Sequence, residues 1–177
     1  MASEGIADVV KGAAFYRMEK EEDSYIHYPV SASEKILDWS KLDFNSLTVH
    51  FLHAPELWTM LLRRDFQKDI EFGDYFYGDT DFVFKVKLLA KDFRYITDVV
   101  YNWNVYTGST SHGKHYFNYH DALKIFDNLE KFIKINQINP KIWEIFALLR
   151  LGTYQWFTTV IDPNDLKDYL KYAGKDL

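Results

Sequence analysis

The chain has 177 residues, of which 47% are hydrophobic, and this predicts a single folded domain with its own core. Its net charge is −5 at pH 7 and its basic residues are scattered, which argues against a nucleic-acid-binding protein. The absence of cysteine excludes disulfides, thiolate catalysis and cysteine-ligated zinc. The longest apolar runs, such as residues 145–149, are far shorter than the roughly 20 residues of a membrane-spanning helix, so we expect no transmembrane segment.

Aromatic residues make up 18% of the chain and include 13 Tyr and 5 Trp. Amphipathic rings in this number are typical of a groove that holds a polar ligand of flat or ring-like shape. A core rich in aromatic residues would have the same composition. Composition alone therefore leaves both interpretations open.

In chain order, the first predicted element is a strand over residues 8–18, in which Gly12 indicates a bulge or the close approach of another backbone. Residues 24–29 are predicted to return as the second strand of a hairpin. Residues 31–46 are predicted to form a short helix or an ordered loop. Residues 47–53 are predicted to be extended.

Pro55 fits the first turn of a helix, which is predicted to run to about residue 66 with Trp58 facing inward. Residues 93–106 have the clearest alternation of a strand. A loop rich in glycine and hydroxyl groups is expected over residues 107–115. Three further helices are predicted at residues 118–135, 140–158 and 163–173.

An aromatic run at residues 75–77 ends at Gly78, and the residues after it have helical periodicity. The apolar residues fall on one helix face; they are Phe82, Val83, Val86, Leu89 and Ala90. Asp79 or Gly78 is predicted at the N-cap, where a carboxylate accepts backbone N–H groups and stays ionised beside the positive end of the helix dipole. Such a carboxylate is a candidate catalytic base or metal ligand, and it is equally a common helix cap.

Five motifs follow one another in a recognisable order. They are the Asp-Val-Val strand and the motifs ELWTMLLRRDF, GDTDF, YITDVVYNWNVY and GSTS. Together they resemble the second half of family 2 glycosyltransferases of the GT-A fold, over roughly residues 6–112. The resemblance implies an α/β fold with a partial GT-A-like mixed sheet, flanking helices and a helical C-terminal tail. Residues 1–115 would be the acceptor-side part of that domain, and residues 116–177 a helical extension packed on it.

The resemblance also assigns roles to residues at the GDTDF motif. In the family an acidic pair, usually Glu-Asp, begins this helix, and its Asp is taken as the base that deprotonates the acceptor hydroxyl. Here the pair reads Gly78-Asp79, so the base is expected to be Asp79, and Gly78 stands where the family has Glu. The acceptor is expected to contact Tyr77, Asp81 and Trp103, since aromatic rings can stack on a sugar.

A loop after the last strand often covers the donor phosphates in related enzymes. Here it offers hydroxyl and cationic side chains for this role, namely Ser109, Ser111, His112 and Lys114. His112 is also a candidate metal ligand. The sequence Asp79-Thr80-Asp81 is a literal D-x-D, but it begins a helix, whereas the metal-binding motif of the family ends a strand. We therefore do not interpret it as a metal site.

The expected activity is the transfer of a sugar, with inversion, from a nucleotide sugar to a glycan or another hydroxyl acceptor. The complete enzyme is expected to use Mn²⁺ or Mg²⁺. No cation is expected on this chain alone, because the donor-binding half with the family's own D-x-D would precede residue 6. The alternative is a non-catalytic module, derived from the same fold, that binds carbohydrate or another partner.

The missing half also leads to an expectation about partners. The chain is interpreted as a fragment that associates with that half or with a second copy of itself. The strand over residues 8–18 would then have an unpaired edge or an exposed apolar face. We expect a cytoplasmic location, with peripheral association with a membrane as an alternative.

Overall fold

The computed structural model describes residues 5–28, 35–53, 56–75, 78–106 and 119–176. Within these residues the chain is a mixed α/β fold in which helices flank one curled sheet. The strands are β1 (Val9–Arg17), β2 (Tyr25–His27), β3 (Lys35–Ile36), β4 (Met60–Leu62) and β5 (Phe93–Asn104). The helices are α1 (Phe44–Leu52), α2 (Arg64–Gln67), α3 (Gly78–Leu89), α4 (Tyr119–Ile135), α5 (Ile142–Val160) and α6 (Leu166–Asp176). One-turn 3₁₀ helices cover Glu21–Asp23, Trp39–Lys41 and Leu57–Thr59.

β1 lies in the middle of the sheet, whose strand order is β2-β1-β5-β3. β2 and β4 run antiparallel to β1 along one edge, β2 beside residues 14–16 and β4 beside residues 9–11. β5 runs parallel to β1 along the other edge. Contrary to the expectation from sequence, β1 is therefore paired on both edges. Within the described residues most of one edge of β5 is open, because β3 covers it only at Phe93 and Arg94.

The pairing of β1 with β5 is irregular around Gly12, where the register shifts between residues 11 and 14. A Cβ atom on Gly12 would lie 2.5 Å from Cγ1 of Val100 and 3.0 Å from the carbonyl oxygen of Asp98. Both distances are too short for ordinary packing, so this position requires glycine. The bulge and the close backbone approach predicted from the sequence are confirmed.

Residues 47–53 are helical, and the prediction of an extended segment is wrong. Helix α1 begins at Asp43, whose Oδ1 accepts a hydrogen bond from the Ser46 backbone N–H at 2.9 Å, as an N-cap does. Its buried residues are Leu47, His50 and Phe51, which share one helix face. The cap and the buried face together favour helix over strand.

The helix predicted over residues 55–66 is also wrong. The chain forms a 3₁₀ turn at Leu57–Thr59, then strand β4, and only then the short helix α2. β4 pairs with residues 9–11 of β1, and this edge would otherwise be without a partner. Pairing with the sheet satisfies backbone groups of both strands, which outweighs the local helical preference of the segment.

The remaining predicted elements are confirmed: the β1–β2 hairpin, β5 and the helices α3, α4, α5 and α6. α4 packs on α3, and α5 packs on α1. One apolar core extends from the sheet to the C-terminal helices and includes Val9, Phe93, Phe126, Ile145 and Tyr169. The predicted boundary at residue 115 lies outside the described residues. The mixed α/β class is thus confirmed, and the closer likeness to a GT-A domain stays a prediction.

Candidate functional site

Asp79 lies in the first turn of α3, which begins at Gly78, and not at the N-cap itself. Its Oδ1 accepts a hydrogen bond from the Thr80 backbone N–H at 2.9 Å, and the side chain is half-buried. Burial raises the pKa of the Asp79 carboxyl, and the amide hydrogen bonds offset this only in part. Asp79 therefore holds its proton more readily than the freely ionised cap that the sequence predicts.

Gly78 has no space for a side chain. A Cβ atom at this position would lie 2.3 Å from the carbonyl oxygen of Gly73 and 3.2 Å from the ring of Phe72. The glutamate that the resemblance places here would require the backbone at Gly73 to move. The path of the segment before α3 thus favours glycine at position 78.

Asp81 points into the interior and has no exposed surface. Its Oδ2 accepts hydrogen bonds from Lys85 Nζ at 2.7 Å and from the Tyr75 hydroxyl at 2.5 Å. Its Oδ1 has no hydrogen-bond partner among the described residues. The structure therefore encloses Asp81 with Lys85 and Tyr75, and the contact between Asp81 and an acceptor stays a prediction.

A second group of polar side chains surrounds Glu56, just before the 3₁₀ turn. Glu56 Oε1 accepts a hydrogen bond from the Tyr16 hydroxyl at 2.9 Å and lies 3.3 Å from His27 Nδ1. Lys11 Nζ lies 3.5 Å from Glu56 Oε2 and donates to the Glu56 carbonyl oxygen at 2.9 Å and to the Thr59 hydroxyl. We call these five residues the Glu56 cluster.

The residues of the Glu56 cluster shift one another's pKa values. Burial lowers the pKa of Lys11 to about 8, although the Glu56 carboxylate acts in the opposite direction. Burial by itself would raise the pKa of Glu56, but Lys11, Tyr16 and neighbouring donors hold it below its usual value. Burial and Glu56 together raise the pKa of Tyr16. At neutral pH Glu56 is therefore an anion whose two oxygens are held in fixed directions.

Aromatic rings from three neighbouring strands lie beside the Glu56 cluster. Tyr16 of β1 is the cross-strand partner of Tyr25 on β2 and of Trp103 on β5, with ring centroids 4.9 and 4.8 Å away. Trp58 of the 3₁₀ turn packs against Tyr101 at 4.7 Å and against Trp103 at 5.6 Å. We call these five rings the aromatic patch.

The aromatic patch has a buried base and an exposed rim. Tyr16 is buried, whereas Tyr25 is 51% exposed and Tyr101 is 41% exposed. Trp103, which is expected to contact the acceptor, thus lies beside Trp58, and Trp58 packs on the sheet and not inside a helix. Half-exposed rings beside a fixed carboxylate are suited to a polar ring such as a sugar, which offers a stacking face and hydroxyl groups.

Two more titratable side chains lie in the interior behind the cluster. Lys87 of α3 has no exposed surface and donates to the His53 carbonyl oxygen at 3.1 Å. Burial, and to a smaller extent the charge of Lys11, lower the pKa of Lys87 to about 7. His50 shares a hydrogen bond of 2.8 Å with the Tyr95 hydroxyl through Nδ1, and burial lowers its pKa to about 3. His50 is therefore neutral at physiological pH.

Asp79 lies eight residues before Lys87 on α3. A rise of 1.5 Å per residue puts about 12 Å between their backbones along the helix axis. Lys87 in turn feels the charge of Glu56, which raises its pKa. Tyr77, Ser109, Ser111, His112 and Lys114 lie outside the described residues, and their roles stay predictions.

The described residues contain no group of three or more His, Asp or Glu side chains that could hold a metal ion. The divalent cation expected for the complete enzyme stays a prediction. In Asp79-Thr80-Asp81, the two carboxylates have different surroundings, since Asp81 is enclosed with Lys85. The chemistry proposed below consequently uses only side chains of the chain itself.

The Glu56 cluster could not be derived from a motif, although two local signals point to it. Lys11 is a charged residue inside the apolar strand sequence Val-Val-Lys-Gly-Ala-Ala, and a buried lysine requires partners. Glu56 directly precedes the apolar pair Leu57 and Trp58. Apolar neighbours that pack inward place the Glu56 carboxylate close to the core. Their pairing across 45 residues is visible only in the structure.

No family model, curated protein or solved structure matches the chain at a significant level. In the part of the chain that the structure describes, no helix has the length and apolar character needed to cross a membrane.

Proposed function

We propose that the chain is the acceptor-side part of a GT-A-like glycosyltransferase that transfers a sugar from a nucleotide sugar to a hydroxyl acceptor with inversion. The observation that carries this proposal is the half-buried carboxylate of Asp79 in the first turn of α3. Burial raises its pKa towards the range in which a general base works efficiently. The side chain is only half-buried, so its carboxylate can contact an acceptor hydroxyl.

In the proposed reaction, the acceptor oxygen attacks the anomeric carbon while its proton passes to Asp79 Oδ2. The new carbon–oxygen bond forms on the face opposite the nucleoside diphosphate, whose bond to the same carbon breaks, so the configuration inverts. The Glu56 cluster and the aromatic patch would hold a sugar of the acceptor, by hydrogen bonds to Glu56 and His27 and by stacking on Trp103. Lys114 and His112 are proposed to meet the leaving phosphates.

A second candidate function is a non-catalytic module that binds carbohydrate through the aromatic patch alone. The observation that favours it is that the hydrogen bonds and ion pairs of the Glu56 cluster, beside the aromatic patch, do not include Asp79. The patch could bind a sugar whether or not Asp79 takes part in a reaction.

The variant Asp79→Asn tests the catalytic proposal in the complete enzyme that contains this chain. Removal of a general base is expected to lower kcat on the order of 10²-fold or more. Stability should change by less than about 1 kcal/mol, because Asn keeps an oxygen that can accept the Thr80 N–H and loses only the charge beside the helix dipole. The control is Asp43→Asn, the same substitution at the N-cap of α1, which should leave kcat unchanged.

Unchanged turnover in Asp79→Asn would rule out the catalytic role of Asp79. The binding module predicts a different pattern, in which Trp103→Ala abolishes glycan binding while Asp79→Asn has no effect on any measured property except stability. The loss of both binding and turnover in Trp103→Ala, together with loss of turnover alone in Asp79→Asn, would support the transferase.

A further inference from the structure

A cavity of about 390 Å³ lies between α1, α3, α4 and α5, apart from the Glu56 cluster. This volume falls in the range of about 300 to 1,000 Å³ that is usual for ligand pockets. It also exceeds the roughly 150 Å³ of an apolar cavity that accepts a benzene ring. The cavity is lined by Phe51, Leu52, Thr80, Val83, Phe84, Ile125, Leu148, Leu149, Gly152, Thr153, Trp156 and Phe157.

The cavity has a closed base and an accessible rim. Phe51, Val83 and Phe157 are buried, whereas Trp156 is 43% exposed and Leu148 is 38% exposed. A ligand could therefore enter past the rim and lose contact with water at the base. Such burial is favourable for apolar surface.

The cavity lies along helix α5. Its lining residues on this helix extend from Leu148 to Phe157, which at 1.5 Å per residue corresponds to about 13 Å of helix. A linear chain can lie along this length with its methylene groups against the apolar lining.

Gly152 lines the cavity without a side chain and is exposed. It lies inside the 19-residue helix α5, where glycine is less stable than alanine by about 1 kcal/mol. A Cβ atom on Gly152 would meet no atom within 4 Å, so packing does not require glycine there. A larger residue would stabilise the helix and add a side chain at the edge of the cavity.

The lining residues also define the chemistry of the ligand. None of them carries an ionisable side chain, and their two hydroxyl groups belong to Thr80 and Thr153. The Thr153 hydroxyl already donates to the Leu149 carbonyl oxygen at 2.8 Å. We propose that this cavity binds a linear, uncharged aliphatic chain, of the acyl or prenyl type, with its polar end outside the rim. This binding does not depend on the chemistry at Asp79.

The test uses 12-bromododecan-1-ol, a linear chain whose bromine quenches tryptophan fluorescence at short range. Titration of the full chain should give saturable quenching, and Trp156→Phe should remove most of it. Gly152→Leu should displace about two methylene groups of the bound chain and weaken binding on the order of tenfold. The matched control is Gly174→Leu on α6, where a Cβ atom likewise meets nothing within 4 Å, and its affinity should equal that of the parent.

Thermal unfolding followed by circular dichroism shows whether Gly152→Leu is folded, and its melting temperature should not fall. Equal quenching curves for Gly152→Leu and the parent would overturn the proposal, because the chain would then bind elsewhere. The absence of saturable quenching would also overturn it and would indicate that another part of the protein or a partner covers this surface. Saturable quenching by bromobenzene but not by the linear alcohol would also overturn the proposal, because the cavity would then bind a compact ring and not a linear chain.

Discussion

Lys87 places an ammonium group in the interior of the fold, with Lys11, Glu56 and His50 as its titratable neighbours. Its pKa falls from the ordinary value of 10.5 to about 7, mainly because burial disfavours the charged form. Between these two pH values the unfolded chain binds more protons at this residue than the folded chain does. The free energy of unfolding should therefore rise as the pH rises above about 7.

Urea unfolding at pH 7, 8 and 9 measures this effect. One proton contributes a slope of up to about 1.4 kcal/mol per pH unit, and Lys11, with a pKa of about 8, adds to it towards pH 9. Lys87→Met should reduce the slope, whereas Lys41→Met, on the exposed end of a 3₁₀ turn, should leave it unchanged. Equal slopes for the parent and Lys87→Met would show that Lys87 is not the group that titrates. The range ends at pH 9 to avoid the titration of tyrosines.

Gly78→Ala should destabilise the protein, although alanine normally stabilises a helix relative to glycine by about 1 kcal/mol. The new Cβ atom would lie 2.3 Å from the Gly73 carbonyl oxygen, and overpacking of this kind costs about 1–3 kcal/mol. Gly174→Ala, in open space on α6, is the matched control and should stabilise the protein. Denaturant unfolding of both variants measures the difference. A Gly78→Ala variant as stable as the control would mean that the segment at Gly73 moves without cost.

At the scale of single residues, the position of Asp79 at the start of a helix can be predicted from the sequence, because a helix start depends on neighbouring residues. The sequence does not predict Glu56 as a site, because the partners Lys11 and Tyr16 lie 45 and 40 residues away. The raised pKa of Asp79 is also not local, since it follows from burial in the folded chain.

At the scale of elements, regular patterns of sufficient length predict the correct structure. The helix face that begins at Phe82 and the alternation in residues 93–106 identify α3 and β5 without knowledge of their neighbours. The short segment of α1 is ambiguous, because its apolar residues fit a strand as well as a helix and its packing on α5 is remote in sequence. The same holds for β4, whose partner β1 lies about 50 residues earlier.

The bulge between β1 and β5 gives a prediction at this scale. Gly12→Ala should destabilise the protein by about 1–3 kcal/mol, because the new Cβ atom would lie 2.5 Å from Cγ1 of Val100. Val100→Ala removes that atom, so Gly12→Ala should cost less in the Val100→Ala background. A double-mutant cycle of denaturant unfolding measures this coupling. Strictly additive effects would show that the clash is with the Asp98 backbone and not with Val100.

At the scale of the whole molecule, we predict that this chain alone does not turn over a nucleotide sugar. Transfer requires neutralisation of the donor diphosphate and alignment of the acceptor in one site, and the described residues offer no cation site for the first task. Calorimetric titration with Mn²⁺ and a panel of nucleoside diphosphates should show no tight, metal-dependent binding. Tight binding by the isolated chain would contradict this prediction and would make Asp79-Thr80-Asp81 a candidate metal site.

The central position of β1 has a consequence for synthesis on the ribosome. Val9 pairs with Phe93, 84 residues later, whereas Ala14 pairs with His27, only 13 residues later. At about 5–20 residues per second, β5 leaves the ribosome roughly 4 to 17 seconds after β1. During that interval β2 can already cover one edge of β1 as a local hairpin. We therefore expect the short strand β2 to shield one edge of β1 at residues 14–16 before its parallel partner on the other edge has been made.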